Sequence, residues 1–304
     1  MSPARLGVLA MIVACTLWGL APLYYSELSD VPAMELLAHR TLWSALVFAL
    51  VLGAQGRLHL TRALLTHPAR RRETVFAAIA IGTNWLLYLI AVQRGWVTES
   101  ALGYYIFPIC AVLLGVVIYR ERLALLQWVA VALAAAAVLV LAVGLGSPPW
   151  MALALALTFS LYGLAKKRIV APGAVSVFAE VLVLLPLAVL WIAAAQISGQ
   201  GAFGQDWTRS ALLAGSGILS ALPLMLFAEA ARRVDLSTLG LLQYLNPTLQ
   251  ALGAVLILGE PFGPARAVSF ALIWAALALY TVSALRQDRA RRRSAMASSA
   301  EAAL

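Results

Sequence analysis

The chain has 304 residues, of which 63% are hydrophobic and 12% are charged, and its formal net charge is +9. A mean hydropathy of +0.90, with about half the charged fraction of ordinary soluble domains, excludes a soluble globular protein and indicates a polytopic membrane protein. Cys15 and Cys110 fall in apolar stretches without a partner at metal-ligand spacing, so we expect both to pack as small apolar side chains.

Ten apolar stretches follow one another along the chain, each long enough to cross a hydrocarbon core of about 30 Å as a helix. They are predicted at 6–26, 33–53, 74–93, 99–118, 123–144, 149–166, 174–195, 210–230, 237–258 and 265–285. The first could instead be a cleaved signal peptide, because "IVAC" resembles a lipoprotein cleavage box, but its apolar run continues to Tyr25. The basic tail 286–304 is predicted to be disordered and cytoplasmic, in contact with anionic lipid.

Basic residues are sorted by loop. With a cytoplasmic N-terminus, 18 of the 22 Lys and Arg residues lie in inward-facing segments, three lie in outward-facing segments and Arg40 lies within a span. This distribution follows the positive-inside rule, which predicts a multi-pass protein of the inner (plasma) membrane with both termini in the cytoplasm. Membrane lipid therefore accounts for the positive charge, and no nucleic-acid partner is predicted.

The two halves of the sequence resemble each other. The segments "ESALGYYIFPICAVLLGVVIYRERL" (99–123) and "LSTLGLLQYLNPTLQALGAVLILGEPF" (236–262) share the order Ser, Leu-Gly, Pro and Glu. Glu follows Pro by 13 positions in each, as Pro108 to Glu121 and Pro247 to Glu260. An internal repeat is therefore predicted.

The predicted fold is an all-α membrane protein with two five-helix repeats, at 1–146 and 147–285. Because each half has an odd number of spans, the second half enters the membrane from the opposite side, so the repeats are inverted. Inverted repeats are typical of secondary transporters that work by alternating access.

Arg40 lies about seven residues into its span, roughly 10 Å below the outer interface, where an unpaired charge costs about 2.5–3.5 kcal/mol. It either reaches the headgroups or a helix end, or it faces a wet cavity and binds an anionic part of a substrate or a carboxylate. Glu180 is its predicted partner, matched to it by the repeat. His39 shares a face with Glu35 and is either a proton carrier or a packed neutral histidine.

Amides, prolines and aromatic residues complete the predicted cavity lining. Gln243, Asn246 and Gln250 form one helical stripe, which either hydrogen-bonds neighbouring helices or lines a substrate path. Pro108 and Pro247 interrupt corresponding spans and either flank a binding site or are simple kinks. The apolar bodies and polar tips of an amphipathic site come from three further residues, Asn84, Tyr88 and Tyr104.

Other features limit the chemistry. The fifth span, "VAVALAAAAVLVLAVGLG", is rich in Ala and Gly, which favours close helix packing or a homodimer face. Phosphate-binding Gly loops, metal constellations and nucleophile triads do not occur in the sequence, so neither a metal nor a cofactor is predicted. The loops are too short for a nucleotide-binding domain, which leaves a gradient or facilitated diffusion as the source of energy.

Several strings of residues resemble a known family. The order "HRTLW" (39–43), "GTNWLLYLIAV" (82–92), "LGYYIFP" (102–108), "YGLAKK" (162–167) and "STLGLLQYLNPT" (237–248) is similar to the RarD subfamily of EamA-type permeases, in the drug/metabolite transporter superfamily. The resemblance implies a ten-helix inner-membrane carrier with helices 1–4 and 6–9 around a central cavity. The subfamily usually has an Asn before its first proline, where this chain has Phe107.

The sequence therefore predicts a secondary transporter, not an enzyme, that moves a small organic solute, metabolite or drug-like, by alternating access. The alternative is an integral membrane enzyme or lipid-handling protein. Such an enzyme would need an acid, base or metal set at one depth, for which Glu35, His39 and Glu180 are the candidates.

Overall fold

The computed structural model describes residues 3–120, 123–146, 149–231, 233–234, 238 and 242–301, without the side chains of residues 4, 119, 145, 284–285 and 287–301. Within this part the chain forms eleven α-helices. They are α1 (Pro3–Ser26), α2 (Ala33–Ala54), α3 (Leu58–Thr66), α4 (Pro68–Gln93), α5 (Val97–Tyr119), α6 (Leu125–Leu145), α7 (Trp150–Arg168), α8 (Gly173–Ile197), α9 (Trp207–Ala231), α10 (Leu245–Leu256) and α11 (Pro264–Glu301).

Eight of these helices are long and apolar enough to cross a membrane: α1, α2, α4, α5, α6, α8, α9 and the first part of α11. They coincide with eight of the ten predicted spans. The predicted span 149–166 corresponds to α7, which closes on Lys166, Lys167 and Arg168. The predicted span 237–258 is described only in part, and its helix α10 has 12 residues.

Two helical segments depart from the prediction. The loop after the second predicted span contains α3, whose apolar residues lie on one face, with Leu64 buried. The tail beyond residue 285, for which the sequence predicts disorder, is helical as far as Glu301. Its Ala, Arg and Gln content gives it a high intrinsic helix propensity, which composition rules for disorder do not weigh.

The chain divides into two compact units, Met1–Phe107 with Met151–Pro261, and Pro108–Trp150 with Phe262–Leu304. Each unit takes residues from both sequence halves, so the units differ from the predicted repeats. In the first unit, α2 packs against α8 and α9, and α1 packs against α9 and α10. In the second unit α6 packs against α11, where the Ser269 hydroxyl donates a hydrogen bond of 2.9 Å to the Ala137 carbonyl.

Large apolar side chains cover the outside of the helices, the reverse of a soluble protein. Leu50, Ile79, Leu187 and Val143 are each more than half exposed. Buried polar residues instead occur in the interior of the first unit, among them Arg40. This distribution suits helices whose outer solvent is lipid.

Helices α2 and α9 approach closely at Gly217. A Cβ atom built there would lie 2.4 Å from the Trp43 carbonyl carbon and 2.6 Å from the Ser44 nitrogen. Only glycine fits at this contact, as is common where membrane helices pack tightly.

We expect Gly217→Ala to destabilise the protein by about 1–3 kcal/mol, because the added methyl group must push two helix backbones apart. Thermal unfolding of the detergent-solubilised protein measures the change. Gly53→Ala is the matched control, since its Cβ would meet only Leu58 at an ordinary 3.7 Å. Equal unfolding temperatures for the two variants would contradict the prediction.

Candidate functional site

Arg40 is buried inside the first unit and has no acidic partner in the described part of the chain. Its side chain leaves α2 two turns below the helix start, and the residue is 7% exposed. The guanidinium carbon lies 4.5 Å from the centre of the Trp85 ring and 5.6 Å from that of Tyr25. Its Nε atom is buried with no hydrogen-bond partner, and no ion pair between described residues includes Arg40.

Two tyrosine hydroxyls next to this guanidinium are also unsatisfied. Tyr25 from α1 and Tyr88 from α4 contact each other edge to face, with ring centres 6.1 Å apart. Both residues are at least 95% buried, and neither hydroxyl has a hydrogen-bond partner in the part of the chain that the structure describes. We call Tyr25, Arg40, Trp85 and Tyr88 the Arg40 site.

A satisfied network supports the Arg40 site from one side. The Tyr104 hydroxyl donates to the Asn84 side-chain oxygen at 3.1 Å, and the Tyr104 ring centre lies 6.3 Å from that of Tyr88. The Asn84 amide donates to the Leu155 carbonyl at 3.0 Å and to the Thr158 hydroxyl at 2.9 Å. Asn84 and Tyr104 therefore tie α4 and α5 to α7 and position Tyr88.

Estimates of the interaction free energies favour a role for Arg40 in binding a partner from outside the chain over a purely structural role. Two cation–π contacts of about 0.5–2 kcal/mol each roughly offset an insertion cost of about 2.5–3.5 kcal/mol. They leave three buried donors unpaired, on Arg40, Tyr25 and Tyr88, and each unpaired donor costs about 1–3 kcal/mol. A ligand that accepts hydrogen bonds from these donors would recover the combined free-energy cost of leaving them unpaired.

The loop between α8 and α9 covers the site at the start of α2. The Ala202 N–H donates to Glu35 Oε1 at 2.6 Å, and the Phe203 ring stacks on His39 with ring centres 5.2 Å apart. His39 is 1% exposed, lies 3.9 Å from Glu35 Oε1, and its two ring nitrogens have no hydrogen-bond partner among the described residues. Its surroundings are those of a packed histidine.

Further contacts join the same end of the first unit. The Gln93 amide donates to the Val31 carbonyl at 2.7 Å. Arg209 pairs with Asp30. Glu260 accepts N–H hydrogen bonds from Val97 and Thr98 at the start of α5, at 2.5 and 2.9 Å. Its repeat counterpart Glu121 lies outside the described residues.

The predicted Arg40–Glu180 ion pair is wrong, because Glu180 has other partners. Lys166 lies 2.7 Å from Glu180 Oε1, the Ser176 hydroxyl donates to the same oxygen at 2.8 Å, and the Tyr162 hydroxyl donates to Oε2 at 3.0 Å. Glu180 is 1% exposed and fully hydrogen-bonded. We call these four residues the Glu180 cluster.

The antiparallel packing of α2 on α8 explains the error. Phe48 contacts Phe178, with ring centres 6.3 Å apart, so the late part of α2 lies beside the early part of α8. Arg40 precedes Phe48 by eight residues and Glu180 follows Phe178 by two, which separates them by about 9 Å along the helices. Residues that an inverted repeat matches lie at equal depths measured from opposite faces of the membrane, so they need not face each other.

The amide stripe is divided by a break in the helix. Gln250 donates to the Asn246 side-chain oxygen at 3.0 Å, which places these two amides on one face. Gln250 is 3% exposed, and its own oxygen has no partner within the described residues. Gln243 is half-buried and precedes the turn at Tyr244 that ends the preceding helical residues.

The two prolines act differently. Pro247 lies in the first turn of α10, just after the break, and Thr248 donates its side-chain hydroxyl to the Tyr244 carbonyl at 2.7 Å. Pro108 lies inside α5, which continues through it to Tyr119. Phe107, which replaces the amide usual in similar sequences, packs edge-on against Phe159 with ring centres 4.7 Å apart.

Sequence reasoning missed three contributors. Tyr25 stands at the end of an apolar run, where aromatic residues commonly mark the membrane interface. Phe203 lies in a loop without a periodic signal. Lys166 belongs to a basic cluster that the positive-inside rule already explains. No sequence pattern at any of these three residues identifies the residue that it contacts. The depth of Arg40 within an apolar span did indicate the site.

The candidate acids for an enzyme do not converge. Glu35 and His39 lie beneath the α8–α9 loop, whereas Glu180 pairs with Lys166. Groups of three or more His, Cys, Asp or Glu side chains able to hold a metal are absent from the residues described.

These features define a class: a multi-helix membrane protein whose interior holds an unpaired cation ringed by aromatic residues. The sequence profile of the EamA-like transporter family matches residues 5–143. The chain is 44% identical to "Protein RarD" of Streptomyces exfoliatus, over 95% of this chain and 92% of that protein. It is 37% identical to "Protein RarD" of Escherichia coli K12, over 94% and 97%.

A solved crystal structure has the same fold, with a TM-score of 0.60 over 91% of this chain and 97% of the other, at 22% identity. The "Uncharacterized transporter YojE" of Bacillus subtilis is 39% identical over 93% of this chain and 96% of that protein. The chain belongs to the RarD group of the EamA-like transporter family, and it is a multi-pass membrane protein.

We expect Lys166→Met to destabilise the protein by up to about 3–5 kcal/mol, because it leaves the Glu180 carboxylate buried without a counter-ion. Glu180→Gln in the same chain should recover part of the loss. A double-mutant cycle on thermal unfolding measures this coupling. The parallel cycle with Arg40→Gln and Glu180→Gln should be additive; strong coupling there and none with Lys166 would contradict the geometry.

Proposed function

We propose that this chain is a secondary carrier of the cytoplasmic membrane that moves a small organic solute by alternating access and binds that solute at the Arg40 site. The observation that supports this proposal most strongly is a buried guanidinium that forms no ion pair with an acid among the described residues. Membrane transport is the function that its relatives' names print. When a transporter keeps a buried charge that lowers its stability, that charge is expected to contact the substrate.

The composition of the Arg40 site supports solute binding over a structural role. Arg40, Tyr25 and Tyr88 supply polar donors, while Trp85 and the tyrosine rings supply apolar faces. Three helices, α1, α2 and α4, contribute these residues. Helices that move relative to one another can therefore open and close the site.

The outer closure is carried by contacts that can break individually. It consists of the Ala202–Glu35 and Gln93–Val31 hydrogen bonds and the exposed Arg209–Asp30 pair. Under the predicted topology these groups all belong to outward-facing ends. Releasing them opens the Arg40 site to the outside.

The inner closure has the same character. Arg168 lies 3.3 Å from Glu73, and the Glu180 cluster joins the end of α7 to the start of α8. The predicted topology places both contacts on the cytoplasmic side. In the proposed mechanism, the outer and inner sets of contacts break in turn, so that the Arg40 site opens to one side at a time.

The experiment is counterflow in proteoliposomes with a panel of radiolabelled amino acids, organic acids, sugars and amines. At least one solute should accumulate above the level of protein-free liposomes and be recovered chemically unchanged. Arg40→Gln should lower that accumulation by about 10- to 100-fold, the value of one or two hydrogen bonds to a charged group.

The matched control is Arg94→Gln. Arg94 also lies over a tryptophan ring, 6.0 Å from the centre of Trp96, but it is exposed in an outward-facing turn. It should retain full accumulation. Equal flux in both variants removes Arg40 from the site, and a chemically altered solute would favour the enzyme alternative.

A further inference from the structure

We infer that the solute is an organic monoanion whose carboxylate is bound by Arg40, Tyr25 and Tyr88 and whose body carries an apolar group. The inference rests on the carrier proposal and adds the chemical class of the substrate. It uses the charge balance of the site, the kind of hydrogen-bonding groups left open in it, and the side chains that surround them.

The charge balance requires one negative charge. Arg40 supplies a single positive charge, and no acidic side chain among the described residues forms an ion pair with it. Asn84, the nearest polar side chain in the supporting network, is neutral. A ligand with a net charge of −1 makes the site electrically neutral, whereas a dianion would bring an uncompensated charge into a low-dielectric interior.

The open hydrogen-bonding groups match a carboxylate. A guanidinium carries only donors, and each tyrosine hydroxyl has a donor to give. The unsatisfied atoms of Arg40, Tyr25 and Tyr88 thus form a cluster that can donate to one ligand. A carboxylate has two oxygens and about four lone-pair positions, so it accepts from all three residues at once.

A zwitterion or an amine fits this cluster less well. Among the described residues of the Arg40 site, an ammonium group would have only the neutral Tyr25 and Tyr88 hydroxyls to accept from it beside the positive charge of Arg40, because the Asn84 oxygen already accepts from Tyr104. Glu35 accepts from Ala202, and Glu180 is occupied by Lys166. The nearest described carboxylates are therefore engaged, and a second positive charge beside Arg40 would be repelled.

The side chains around the Arg40 site indicate the chemistry of the rest of the solute. Trp85 lies across the guanidinium, and Tyr25, Tyr88 and Tyr104 follow one another with ring centres 6.1 and 6.3 Å apart. Such a row of rings gives apolar area and weak directional contacts to an aliphatic or aromatic body. A carboxylate attached to a sugar-like body would leave its hydroxyls without partners.

The test measures binding of shape-matched pairs, each an anionic acid and its neutral amide, to the full-length protein in detergent by isothermal titration calorimetry. The pairs are lactate and lactamide, hippurate and hippuramide, and N-acetyl-L-phenylalanine and its amide, with L-phenylalanine as the zwitterion. At least one acid should bind about tenfold or more tighter than its amide, and N-acetyl-L-phenylalanine tighter than L-phenylalanine. Acids that bind no better than their amides overturn the inference, as does a preference for the zwitterion.

Two variants, each with a matched control, connect the preference to the site. Arg40→Gln should abolish the preference for acid over amide, and Arg94→Gln should keep it. Tyr25→Phe should weaken binding of the acid by about 3- to 10-fold, whereas Tyr24→Phe should not, because the Tyr24 hydroxyl already donates to the Leu212 carbonyl. An acid preference that survives in Arg40→Gln places the anion elsewhere and overturns the inference.

The two proposals fail in different ways. If counterflow detects transport of a sugar or an amine but of no acid, the carrier stands and the anion assignment falls. If acids bind to the Arg40 site but no solute of the panel accumulates in liposomes, the site stands and the carrier falls.

Discussion

A charge inside a bilayer must find its partner in a neighbouring helix or in a molecule that comes between helices. Two carboxylates in this chain have partners within the protein: Glu180 is paired with Lys166, and Glu260 accepts hydrogen bonds from the first N–H groups of α5. Arg40 is also buried, lies against the rings of Trp85 and Tyr25, and forms no ion pair with any residue that the structure describes. Because hydrocarbon solvates no ion, this difference separates charges that hold the fold together from a charge available to a ligand.

The packing around Arg40 divides into a firm part and a labile part. The backbones of helices α2 and α9 approach closely at Gly217, and Asn84 joins α4 to α7 through two hydrogen bonds. The cover is held by individual contacts, among them the hydrogen bond from Ala202 to Glu35 and the stacking of Phe203 on His39. Loops secured by few contacts open at low free energy, whereas close-packed helices move as units. The site therefore has a rigid floor and a movable cover.

Hydropathy predicted most of the helices because a spanning segment must be long, apolar and helical whatever its partners are. The same constraint drew attention to Arg40, since the cost of a charge at that depth follows from its position in an apolar span. Partners could not be predicted in this way. The contact of Tyr25 with Tyr88 spans 63 residues, and no periodicity within one helix encodes which neighbour will face it. The predicted repeat gave the wrong partner for Glu180, because an inverted repeat matches residues by their depth from opposite faces of the membrane.

The chemistry of the two halves is less symmetric than their sequence pattern. Where the first half carries Arg40 with open donors, the matching position of the second carries Glu180, neutralised by a lysine of its own half. If both positions were open, they would attract each other through the protein and compete with the solute. Neutralising one of them locally leaves the other free. The predicted inverted repeat could then supply two related packings of the helices, with the guanidinium of Arg40 as the charge that we propose is satisfied by a ligand.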